Sequence, residues 1–95
     1  MKPKAKQLLS PGSVVFIRTV THYHVGRVVR IVEIGKVGFV ELADAAWVAD
    51  SGRFADMLKS GVVNEAEPFA GNALVGLGAI VDVAAFTGAI PLAQK

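Results

Sequence analysis

The sequence predicts a mostly β domain: a small SH3-like or open β-barrel, ordered β-β-β-α-β, with one short helix. Three observations carry this expectation. Runs of Val, Ile, Thr, Phe and Tyr fill the first half, and branched or aromatic side chains suit a pleated, half-buried surface. Turn residues punctuate those runs at Ser10-Pro11-Gly12-Ser13 and at Gly35-Lys36. The periodicity then changes, with Phe54, Met57 and Leu58 recurring at the i, i+3, i+4 spacing of a helix face.

Residues 1–13 read as a basic arm and a turn, with Lys2, Lys4 and Lys6 crowded around Pro3. Three antiparallel strands follow: "VVFIRTVTHYH" from Val14, "VGRVVRIVEI" from Val25, and "VGFVELADA" from Val37. Gly26 marks a turn or bulge, and Gly35-Lys36 a tight hairpin. Both faces of "VGRVVRIVEI" carry apolar residues, so burial on both is expected, by the rolled barrel and by a neighbouring subunit. In "DSGRFADMLKSG", Asp50 or Ser51 is placed to cap the helix and Gly61 to end it. "NEAEP" reads as a loop, "ALVGLGAIVDVAAF" as a return to strand, and "TGAIPLAQK" as a tail. Residues 14–95 are thus expected to form a single β-rich domain.

A chain of 95 residues has room for one core, yet 53% of its residues are hydrophobic and only 19% charged. Self-association covers such an excess, so a homo-oligomer is expected. The net charge of +2 is scattered outside the arm, without the broad basic stripe and interleaved aromatics of a nucleic-acid binder. The absence of cysteine excludes disulfides, thiolate metal sites and cysteine nucleophiles. Leu8-Leu9 is followed at once by Ser-Pro-Gly, which is not the apolar core of a signal peptide, so a cytosolic location is expected. The apolar run from Ala73 to Ile90 contains Asp82 and three glycines and ends at Pro91, a pattern that suits buried strand better than a membrane span.

Chemistry is sparse. His22 and His24, two apart on a strand, share a face, but no spacing nominates Glu33, Asp44 or Asp50 as the further ligands a metal needs. The serines lack a nucleophile elbow and no pair of carboxylates stands out, so neither an enzyme nor a cofactor is expected. "GNALVGLG" has Leu77 where a phosphate-binding loop needs lysine. The strongest constellation is "DAAWVADSGRF", which sets Trp47, Asp50, Ser51 and Arg53 at a strand-to-helix junction. Helix amides and Arg53 suit an anion, and Trp47 can stack a planar group. With His22, His24 and Arg27 from the first hairpin, these residues make a candidate pocket for an anionic ligand such as a nucleotide. They also suit a scaffold, with Trp47 anchoring the helix and Arg53 pairing with Asp50 or Asp56.

"IRTVTHYHVGRVV" (17–29), "LADAAWVADSGRF" (42–54), "EAEPF" (65–69) and "GAIVD" (78–82) resemble a group of small proteins of tailed bacteriophages and prophages that has no assigned activity. The resemblance covers the chain from Val14 onward and implies a viral origin. Two roles then follow as expectations. One is a counter-defence protein that sequesters a host nucleotide signal in the host cytoplasm; the other is a virion part such as a capsid decoration, connector or baseplate subunit.

Overall fold

The computed structural model describes residues 8–93, so Lys2, Lys4 and Lys6 of the basic arm lie outside the described residues. The described residues are mostly β, with a short α-helix among the strands. The strands are β1 (Val14–Thr19), β2 (Tyr23–Ile34), β3 (Val37–Asp50), β4 (Glu65–Pro68), β5 (Ala73–Gly76) and β6 (Ile80–Ala85). Helix α1 (Phe54–Ser60) follows β3, and a 3-10 turn (Leu77–Ala79) joins β5 to β6. All pairings are antiparallel, in the order β4-β3-β2-β1-β6, while β5 pairs with the other half of β3. The sheet bends strongly but does not close into a barrel.

Four local expectations change. The first apolar run breaks at Val20, because the Thr19 hydroxyl donates to the His22 carbonyl and accepts from the His22 amide, closing a turn in place of the ladder. "NEAEP" supplies strand β4, because β3 runs on to Asp50 and offers an edge for it. The last apolar run divides at Gly76–Gly78 into β5, the 3-10 turn and β6. Neither Asp50 nor Ser51 caps α1: the cap position is Arg53, without a side-chain bond, because the Asp50 carboxylate instead accepts the Gly52 amide at 2.8 Å. Gly61 does end the helix, in the left-handed conformation at φ 70.

The bend creates two cores, one on each side of β1. Val15 and Ile17 point into the first, with Val28, Val40, Leu42, Ala45 and Val75. Phe16 points into the second, with Val25, Ala46, Val48, Met57, Val63 and Phe86. Double-sided burial therefore belongs to β1.

The β2–β3 ribbon serves both cores through bulges. Its register shifts between Val25 and Arg27, where Asp44 takes a positive φ of 51, and again between Val28 and Arg30. One extra residue turns every following side chain to the other face. Ala46 and Val48 accordingly enter the second core, while Leu42 and Val40 enter the first. Beyond the second shift β3 still pairs with β5 through Phe39–Leu42, and Val40 stays in the first core. On the β2 side of this part of the ribbon Ile31 is exposed, as are Ile34 and Val37 at the turn, so the described residues do not supply the two-sided cover expected for this part of β2.

Candidate functional site: an aromatic and imidazole platform

Directly opposite residues of an antiparallel pair project to the same side. His24 lies opposite Trp47 across β2–β3, and Trp47 lies opposite Glu67 across β3–β4. Phe69, two residues beyond Glu67, keeps that face, and its amide donates to the Ala45 carbonyl at 2.8 Å. Ala45 is buried in the first core, two residues before Trp47. The face continues past the edge of that core and there becomes a surface of rings.

The rings touch in sequence around this surface. His22 stands 5.8 Å from Trp47 and 6.4 Å from His24, and His24 stands 6.0 Å from Phe69, all between centroids and all tilted. Together they line an open concavity of ≈ 460 Å³. Trp47 is 36% exposed and Phe69 42%, so large apolar ring surface faces solvent. A second concavity, of ≈ 210 Å³, lies on the other side of the His22–Trp47 pair, where Thr21, Tyr23 and Ala49 are among its walls.

The two imidazoles differ. Nδ1 of His22 is 2.7 Å from the Thr21 hydroxyl, which fixes that ring at the turn. Nδ1 of His24 is shielded from solvent and has no hydrogen-bond partner. Burial, reinforced by charge on neighbouring His22, pushes the His24 pKa below its ordinary value. His24 is therefore held neutral, as an aromatic surface rather than a cation.

Of the residues picked out in the sequence, His22, His24 and Trp47 come together here. Arg27 lies three residues beyond His24 on β2 and pairs with Asp44 at 2.6 Å. Asp50 and Ser51 are engaged in the turn before α1, where the Ser51 hydroxyl donates to the Gly52 carbonyl. Arg53 sits at the exposed start of the helix, and the two concavities beside Trp47 are lined by none of these four, Arg27 included. The helix start and the histidines are thus separate places, because the turn at Gly52 carries the chain away from β3 before α1 begins.

Phe69 escapes the sequence reading. Its only signal is its place in "EAEPF", and nothing in the spacing reveals that this segment is a strand lying beside Trp47. Among the described residues, no three His, Asp or Glu side chains are grouped to hold a metal ion. Comparison with protein-family models, with characterised proteins and with solved structures finds no match to this chain.

Proposed function

We propose that this protein is a non-enzymatic binding protein of bacteriophage type that holds a nucleotide on the His22–His24–Trp47–Phe69 platform. In this reading it is a homo-oligomer in the host cytoplasm and sequesters a nucleotide signal of host defence. The observation that carries the reading is the ring cluster itself: four ring side chains, drawn from β2 and the turn before it, β3, and the residue after β4, line one open concavity. A base stacked on an aromatic side chain contributes about 1–3 kcal/mol, whichever base it is. The lining is made of two imidazoles and two large aromatic rings, a surface suited to stacking a base. A phosphate on the ligand meets His22, whose ring the Thr21 hydroxyl holds beside Trp47.

The reading is tested by calorimetric titration with purine and pyrimidine mononucleotides beside ribose 5-phosphate. Saturable binding of the nucleotides, lost in Trp47→Ala, is expected. Binding that ribose phosphate reproduces would remove the base, and hence the platform, from the account.

A second reading, a virion subunit, draws support from a different place. The β2–β3 tip projects with Ile34 and Val37 more than half exposed, a surface suited to contact between copies. Stoichiometric presence in purified particles would favour it.

A further inference from the structure

Trp47 and His22 line both concavities, and no other described residue does. The two rings are a divider: on one side lie His24 and Phe69, on the other Thr21, Tyr23 and Ala49 among others. Resting on the nucleotide reading above, we infer that the site takes a ligand with two nucleobases joined through a phosphodiester, one base on each side of the Trp47–His22 divider.

The geometry of the divider carries this. At a centroid separation of 5.8 Å and a tilt of 56°, the two rings lean on each other. A base that reaches both of them lies against their outer faces or edges and is not intercalated between them. A single base therefore fills one side and leaves the other to water. A ligand that occupies both sides must carry its linker across the divider, past His22. With Nδ1 of that ring committed to the Thr21 hydroxyl, Nε2 is the nitrogen left to meet a linker oxygen. The two sides also differ in character. The first is open and bounded by rings, and the second is smaller and bounded partly by the turn before β2. Stacking thus dominates at one base and enclosure at the other. A free dinucleotide, linear or cyclic, and a stretch of single-stranded nucleic acid both present this chemistry.

The test compares the full chain's affinity for AMP, adenylyl-adenosine, cyclic di-AMP and a short oligoadenylate by calorimetry. One further seated base tightens binding roughly tenfold or more, so a two-base ligand should exceed AMP by that factor. Ala49→Leu, at an exposed position that lines only the smaller side, should bring this ratio toward one. Its melting temperature would verify that it is folded. If the oligoadenylate exceeds both dinucleotides and its affinity falls steeply with salt, the source is single-stranded nucleic acid. If a dinucleotide binds as well as the oligomer, the source is the free dinucleotide. Equal affinities for AMP and every two-base ligand would overturn the two-base inference and leave the nucleotide reading intact. Binding of none would overturn both.

Discussion

Gly88 lies directly against Gly61. A Cβ on Gly88 would stand 2.0 Å from the Gly61 carbonyl oxygen, and one on Gly61 would stand 2.2 Å from the Gly88 Cα. The contact joins the end of α1 to the segment after β6. It thereby helps hold Phe86 in the second core beside Met57 and Val63.

Because both partners in this contact are backbone, neither can yield cheaply. Gly88→Ala should cost about 1–3 kcal/mol, the usual range for forced overpacking. Gly61→Ala should cost more, since its φ of 70 adds about 1–2 kcal/mol of left-handed strain. Urea midpoints of the two variants check the order. Equal and negligible effects would mean that the segment after β6 does not seat on the helix.

Phe16 is the anchor of the second core. It is fully buried, tilted against Tyr23 at 5.7 Å and edge-on to Phe54 at 5.9 Å. Phe16→Ala should remove about 3–5 kcal/mol, a large part of the about 5–15 kcal/mol a domain holds. Chemical denaturation would register this as a midpoint shift. Phe54→Ala, at an exposed position on the same cluster, should cost far less.

Two groups should give stability two separate responses to acid. His24 has a folded-state pKa below its ordinary 6.5, chiefly through burial. Its contribution is complete above that value. It is lost as pH falls toward the folded-state pKa, because the unfolded chain takes up a proton that the folded chain refuses. Glu41 accepts hydrogen bonds from Asn72 at 2.9 Å and Arg30 at 2.7 Å, which hold its carboxyl below the ordinary 4.5. Its contribution is present above 4.5 and disappears as pH falls further. Melting temperature followed against pH should therefore fall in two stages. His24→Phe should flatten the first and Glu41→Gln the second, and a single stage unaffected by His24→Phe would contradict the assignment.

The hairpin tip provides a test of self-association. Ile31, Ile34 and Val37 are all exposed on the projecting end of β2–β3. Ile34→Lys combined with Val37→Glu should change folding stability little, since surface substitutions usually stay within about 0.5 kcal/mol. The same pair should lower the assembled fraction measured by sedimentation. An unchanged sedimentation profile would place any contact between copies elsewhere.

Much of the fold was legible because its cues are local. The β-branched runs, the Gly35-Lys36 turn and the Phe54–Met57–Leu58 face each state their structure within a few residues. Gly61 at the helix end was equally open to reading, while the irregularity expected at Gly26 as a turn or bulge lies on the facing strand, at Asp44. What was not legible depends on partners far along the chain. "NEAEP" has no strand signal of its own and becomes β4 because the end of β3 lies beside it. The double burial of β1 follows from β2–β3 changing faces at a bulge, and nothing in the spacing announces that a residue such as Asp44 takes positive φ. The candidate site divides the same way. His22, His24 and Trp47 were found as chemistry-bearing residues near turns, while Phe69 joins them through a pairing only the fold reveals. Arg53 looked adjacent to Trp47 in sequence, but the turn at Gly52 carries it away, while the Asp50 carboxylate is taken up by the Gly52 amide.

Trp47 is the only tryptophan in the chain and stands in the middle of the proposed platform, so its fluorescence reports on the central claim directly. The measurement is a titration of the intact protein with a nucleotide, with ribose 5-phosphate as the control that lacks a base. The account predicts saturable quenching by the nucleotide, weakened in Phe69→Ala and absent with the control. Emission from Trp47 that no nucleotide alters, in a protein that melts cooperatively, would contradict it.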